Sequence, residues 1–334
     1  MKQQGLFSVN QVVEMINRGD ILLLAGDSPL LSSLPKGNWV GGVTNQFIET
    51  GKELITSREK IFVHNITDYV SEIKMKVYDV SNIHTVYDDA YDNGFSVLIT
   101  PFHCDLKEEY ALNCMNYSNF ASRILCGWVS ISPFYTGDKR DISIVFSGET
   151  GLSYDNAGVV MHVKLHEGKY AEIYTFNPYL PESGDVIIFE QNGNKADNVI
   201  INGIKQNFRK YMIDRKIDRS TKTNNVLVGD YAGIIINTVI LPELEGSDEK
   251  HVFLGNPVFK GIPYKFAELN SAESYINMQQ IESEIILSFT CATNFVFPED
   301  FTKYLTHTNG PFVYGEFAYF LLNNTTLYLT VGDS

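Results

Sequence analysis

The sequence predicts an α+β protein with mixed and antiparallel sheets, flanking helices and two related subdomains. Three observations carry that expectation. Short runs alternate apolar and polar residues, most densely in the second half of the 334-residue chain, which is the signature of half-buried strands. Helical segments interleave with these runs irregularly, and hairpin-like neighbours disfavour a strictly parallel sheet. The turn-rich stretch Gly148-Glu-Thr-Gly-Leu-Ser-Tyr-Asp-Asn156 marks a boundary between an α/β subdomain over 1–150 and a strand-rich α+β subdomain over 151–334.

The elements follow in order. Ser8-Val-Asn-Gln11 predicts a capping box, with the Ser8 hydroxyl accepting from the third helical N–H and Gln11 reaching back. Val12, Val13 and Ile16 give that helix its apolar face, and Gly19 stops it. Residues 21–25 read as a buried strand. Residues 38–44 read as a second, whose glycines let another backbone approach closely. In 72–80, Ile73, Met75 and Val77 alternate with Lys74 and Lys76. Ile83, Val86, Tyr87, Ala90 and Tyr91 then recur at helical spacing up to Asn93-Gly94. Residues 95–100 form a strand stopped by Pro101, 105–120 a helix, and 123–131 another strand. Beyond the boundary, 159–165, 170–176, 185–190 and 198–201 are extended, 204–213 is helical, and 225–241 and 251–259 are buried strand. Residues 285–290 precede a helix opening at Pro298-Glu-Asp, where proline and two carboxylates suit a positive helix terminus. Phe301, Tyr304 and Leu305 face it inward, and Asn309-Gly310 ends it. Residues 326–331 close the chain as a strand. Gly37-Asn-Trp-Val-Gly-Gly-Val echoes Leu125-Cys-Gly-Trp-Val-Ser-Ile, a hint of an internal repeat.

Composition removes several function classes. Lys and Arg number 26 against 40 Asp and Glu, a net charge of −14. No basic stripe gathers the cations, so docking on nucleic acid or anionic lipid is not expected. The longest apolar runs, 21–25 and 233–241, fall far short of the ~20 residues that span a bilayer. The first residues lack the apolar core of a secretion signal, and Cys104, Cys114, Cys126 and Cys291 show no Cys-x-x-Cys pair. Both features predict a cytoplasmic protein with reduced thiols.

Catalytic motifs are scarce. On a strand, His162 and His166 stand about 13 Å apart, so they share a solvent face and cannot clasp one metal. His103-Cys104-Asp105 follows Pro101 in a loop that could expose a thiol, which keeps a cysteine-dependent enzyme using Cys104 as an alternative. The glycines match no phosphate loop. The acid pairs Asp88-Asp89, Glu108-Glu109 and Glu299-Asp300 read as solvated. No cofactor or metal is expected. The aromatic share of 13% includes residues beside polar loops, in Pro133-Phe-Tyr-Thr-Gly137 and Pro311-Phe-Val-Tyr-Gly-Glu316. Such rings serve either ordinary cores or small-ligand pockets.

The carboxyl-terminal segment, Gly310-Pro-Phe-Val-Tyr-Gly-Glu316 followed by Leu322-Asn-Asn-Thr-Thr-Leu-Tyr-Leu329, resembles the end of FIST sensory domains. Leu287-Ser-Phe-Thr-Cys291 is similar to that family's strand ending in cysteine, and Asn198-Val-Ile-Ile-Asn-Gly203 to its Asn-Gly element. Thr293-Asn294 departs from the pattern, standing where the family would place Gly-Arg-like residues. The resemblance implies an intracellular sensory protein that binds an amino acid or similar small metabolite between its subdomains and signals through a separate protein partner. It implies ligand contacts from Tyr314, Glu316, Asn323 and Cys291, with Trp39 and Trp128 as walls. Glu316 would receive a ligand amine at a pocket edge, or else cap a helix. A ligand-free protein-interaction module is the remaining alternative.

Overall fold

The computed structural model describes residues 4–49, 54–132, 142–215, 225–231, 233–241, 251–269, 281, 283–296 and 308–334. Strands dominate, and they build a mixed α/β fold of several sheets. The first sheet runs Gln4–Ser8, Lys60–Asn65, Leu22–Gly26, Trp39–Val43, Val145–Ser147, Leu152–Tyr154. The second runs Phe320–Leu322, Glu316–Ala318, Ile124–Ser130, Gly94–Pro101, Gly158–Leu165, Val70–Tyr78. The third runs Lys169–Phe176, Thr326–Asp333, Glu284–Cys291, Gly310–Val313, Gln46–Ile48, Ile55–Thr56. A fourth, antiparallel sheet centres on Pro263–Leu269 and Val226–Tyr231, with Tyr179–Pro181 beside the former.

Each of the first three sheets holds one parallel pair. A parallel pair needs a crossover, and here each crossover carries a helix. Ser28–Ser32 lies between Leu22–Gly26 and Trp39–Val43, Asp105–Asn113 between Gly94–Pro101 and Ile124–Ser130, and Ala292–Val296 between Glu284–Cys291 and Gly310–Val313. The carboxyl ends of the returning strands converge. The Val43 amide donates to Ser130 Oγ at 2.6 Å, Thr44 Oγ1 donates to the Phe312 carbonyl at 3.0 Å, and the Val129 amide donates to the Gly315 carbonyl at 3.0 Å.

Alternation along the strands sorts the core. Leu22 and Leu24 pack with Val12, Met15, Ile16 and Trp39, while Leu23 and Val40 face the main core on the other side. Both faces are covered, so Leu22–Gly26 is apolar throughout. The first helix begins as expected: Ser8 Oγ accepts from the Gln11 amide at 3.4 Å, and Gln11 Oε1 accepts from the Ser8 amide at 2.9 Å.

Several expectations need correction. The boundary at 150/151 falls inside the hairpin of Val145–Ser147 and Leu152–Tyr154, and the second and third sheets combine strands from both halves. The helix expected over 83–91 is one 3-10 turn, Ile83–Thr85. Asp79 Oδ1 accepts from the Ser81 amide and Asn82 Oδ1 from the Asp79 amide, and such local side-chain bonds compete with a helix. The segment 204–213 divides into a strand, Ile204–Asn207, and a helix, Phe208–Asp214. Asn202-Gly203, both with positive φ, turns the chain back on Asn198–Ile201, as Asn-Gly hairpins do. The strand reading of 225–241 holds, as two antiparallel strands, Val226–Tyr231 and Ile234–Val239. The helix expected over 105–120 stops at Asn113. The proposed helix from Pro298 and the aromatic loop 133–137 lie outside the described residues. Among the described residues, no helix is long and apolar enough to cross a membrane.

His162 is fully buried rather than on a solvent face. Its Nε2 lies 2.9 Å from the Tyr78 hydroxyl and its Nδ1 2.8 Å from Ser96 Oγ, while Tyr78 donates to Asp89 Oδ2 at 2.8 Å. Asp89 is therefore not a merely solvated acid: it also holds Lys74 and Lys76. Burial alone would push its carboxyl up, but the bonds from Lys76, Tyr78 and Lys74 together hold it well below the usual carboxylate range.

Candidate functional site

The most unusual cluster of polar groups forms where the third sheet meets the second. Glu284–Cys291 runs inward between Thr326–Asp333 and Gly310–Val313, and Cys291 turns directly into the helix Ala292–Val296. Gly315, with φ of 140°, lets the chain leave Gly310–Val313 and enter Glu316–Ala318 in the second sheet. Glu316 pairs there with Trp128 on one side and Leu322 on the other. Asn324, with φ of 57°, then returns the chain to Thr326–Asp333. The turn brings Thr325 over the carboxyl, and Thr325 Oγ1 donates to Glu316 Oε2 at 2.9 Å.

Glu316 is fully enclosed, and its second oxygen, Oε1, has no partner among the described residues. Burial raises its carboxyl from the ordinary carboxylate value to about 8, with the Thr325 hydroxyl, the Cys291 thiol and backbone N–H groups opposing the rise. The Cys291 thiol is itself pushed up by burial and then by the facing carboxyl. Desolvation penalises both charged forms, so burial favours the protonated acid and the protonated thiol. Such a thiol is a poor nucleophile.

The surrounding groups extend the cluster. Cys291 Sγ lies 2.8 Å from Thr293 Oγ1, which accepts from Asn324 Nδ2 at 2.7 Å. Asn294 Nδ2 donates to the Thr325 carbonyl at 3.1 Å. Asn294 Oδ1, Asn324 Oδ1 and the Tyr179 hydroxyl are buried without a partner, and Tyr179 is close enough to Cys291 for their charges to interact. Four enclosed polar side chains thus each leave an atom unbonded. Native interiors hold few such atoms, because each costs roughly 1–3 kcal/mol.

The structure gathers some of the expected residues and separates others. Cys291 and Glu316 face one another, in the interior rather than at a pocket edge, and Glu316 caps no helix. Trp128 is opposite Glu316 on the paired strand, with its ring 5.5 Å from Phe289. Asn323 is buried, and its carbonyl accepts from Asn237 Nδ2 at 3.2 Å. Tyr314 is half-buried in the apolar cluster of Ile48, Phe176, Ala292, Phe312 and Tyr328. Trp39 is not part of the cluster. Its indole donates to the Pro35 carbonyl at 2.9 Å and packs with the first helix, on the far face of the first sheet. Cys104 is also misplaced as an exposed nucleophile: it is buried, it donates to the Pro101 carbonyl at 3.0 Å, and burial pushes its thiol up to about 11.

In the sequence Asn324 and Thr325 stand only within the carboxyl-terminal motif, Thr293-Asn294 only as a departure from it, and nothing marks Tyr179. A polar run directly after a buried strand ending in cysteine was the available signal. Among the described residues, no group of three or more His, Cys, Asp or Glu side chains is placed to hold a metal ion. No curated protein matches the chain. Residues 7–332 match the family of unknown function DUF6976, and the chain belongs to that family.

Proposed function

We propose that this protein is a cytoplasmic sensory protein of the FIST kind, which binds a small metabolite at the Glu316–Cys291 cluster and signals through a separate protein partner. The observation that carries the reading is the Glu316 carboxyl: enclosed, with one oxygen unbonded, and with its ionisation disfavoured by burial. A buried carboxyl oxygen left without a hydrogen-bond partner calls for an explanation, and a bound ligand supplies one. On this reading the ligand enters past Thr293, the half-buried residue of the cluster, and lies at the seam between the second and third sheets. The related units are then the β–helix–β crossovers rather than consecutive halves of the chain. The carboxyl-terminal resemblance to FIST domains agrees in placing function on the same strands.

A thermal-shift screen against amines, amino acids, small carboxylates and nucleotides tests this. A ligand at 100 times its Kd adds about 2.7 kcal/mol of stability, which moves the midpoint by several degrees. The expected result is a shift with one class that Glu316→Gln abolishes while the variant still melts cooperatively. No shift with any class, or a shift indifferent to Glu316→Gln, would overturn the reading.

A further inference from the structure

We propose that the site takes a small primary amine, bound as its ammonium form, and not a zwitterionic amino acid. The inference rests on the ligand-binding reading above and names the ligand's chemistry from the unbonded atoms. Glu316 Oε1, Asn294 Oδ1 and Asn324 Oδ1 are all oxygens that accept hydrogen bonds. The orientation of Asn294 is fixed, because its Nδ2 donates to the Thr325 carbonyl and that acceptor cannot take the amide oxygen. An ammonium group brings three donors and no acceptor, and so complements acceptor oxygens of this kind. The Tyr179 hydroxyl adds one group that can serve either way.

A ligand carboxylate would meet the opposite situation. Its oxygens would face other oxygens, and a buried carboxylate needs a cation or several N–H donors. Among the described residues, the largest influences on Glu316 and Cys291 are each other, Thr325, Thr293 and backbone N–H, and none of these is a lysine, arginine or histidine. Thr293-Asn294 supplies a hydroxyl and a carboxamide and no positive charge. The cluster therefore offers more unbonded acceptors than donors, which suits an amine better than the acid end of an amino acid.

The binding step balances in protons. A neutral Glu316 that pairs with an ammonium ion gives up its proton to solvent, leaving a carboxylate against the cation with no other covalent change. The titratable group facing it is the Cys291 thiol, with the Tyr179 phenol near that thiol, and burial keeps both protonated throughout.

Isothermal titration of the full chain with methylamine, ethanolamine, glycine, acetate and potassium chloride, at about pH 7 in phosphate and in MOPS, reads both the class and the proton. The expected result is binding by the two amines alone, with a buffer-dependent heat equal to release of about one proton per amine. Glu316→Gln should weaken binding by ~10- to 100-fold, and Asn294→Leu should weaken it while leaving the thermal midpoint of the free protein within a few degrees. Glycine or acetate binding in a Glu316-dependent way, with the amines silent, would overturn the amine assignment and leave a ligand site standing. Potassium binding as tightly as the amines would make it a monovalent-cation site instead. Silence from every probe would overturn both the assignment and the ligand-binding reading.

Discussion

At the scale of single residues, protonation follows from enclosure. Tyr78 donates its hydroxyl hydrogen to Asp89, so it can only accept from His162. That fixes the proton of His162 on Nε2 and leaves Nδ1 to accept from Ser96. Burial holds this neutral ring down at about 4, with Lys74 next in effect. Replacing it should expose the dependence. His162→Leu is expected to cost about 1–3 kcal/mol, the penalty of a stranded buried hydroxyl at Ser96, and adding Ser96→Ala should recover part of it. Urea denaturation of the two variants measures both. Equal stability of His162→Leu and the wild type would show that the Ser96–His162–Tyr78 chain contributes nothing net.

At the scale of elements, the sheets meet through Trp128. A Cβ built on Gly42 would lie 2.7 Å from the Trp128 indole nitrogen and 2.9 Å from Ile99, so Gly42 is small because another sheet's ring fills the space. The expected close approach of another backbone holds at Gly41, where a Cβ would lie 3.2 Å from the Leu24 carbonyl oxygen, whereas at Gly42 the neighbour is an indole. Gly42→Ala should destabilise by roughly 1–3 kcal/mol, the usual cost of overpacking, and Trp128→Phe should relieve part of that in the double variant. Full additivity in the denaturation cycle would contradict the contact. Most strands were legible for a simple reason: alternation or an unbroken apolar run is a local property, as in 94–101 and 158–165. Residues 204–207 were not, because Ile204-Lys-Gln-Asn207 has no apolar face of its own and pairs only through the Asn202-Gly203 turn. Gly193–Ala196 was missed likewise, being a short strand whose partner, Val252–Val258, comes from distant sequence, and Ile55–Thr56 because two residues carry no pattern.

At the scale of the whole molecule, three enclosed groups set the pH dependence of stability. His64 and His162 are both lowered by burial to about 4. Between about 4 and their unfolded value near 6.5, the unfolded chain binds more protons, so stability rises with pH across that window. Glu316 acts oppositely: between its unfolded value near 4.5 and about 8 the folded state holds the proton more tightly, so stability falls as pH rises. Two histidines outweigh one carboxyl below about 6.5, and the carboxyl acts alone above it. Stability should therefore peak near pH 6.5 and then fall by at most ~1.4 kcal/mol per pH unit towards 8. Glu316→Gln should remove that fall and leave the acid limb intact. Denaturation midpoints at about pH 5, 6.5 and 8 check this, and a wild-type profile that keeps rising to 8 would contradict it. Of the site, the sequence offered Glu316 and Cys291, because the resemblance lay on their strands. It could not offer Tyr179 or the reach of Thr325, which depend on the fourth sheet and on the left-handed turn at Asn324.

The account stands on Glu316 being a neutral acid that ionises when an amine arrives. Difference infrared spectroscopy of wild type against Glu316→Gln reads that state directly, through the carbonyl band of a protonated carboxyl. The account predicts the band at neutral pH, its loss on titration through about 8, and its loss at neutral pH when methylamine is added. A carboxyl already ionised at neutral pH, or a band that methylamine leaves untouched, would contradict it.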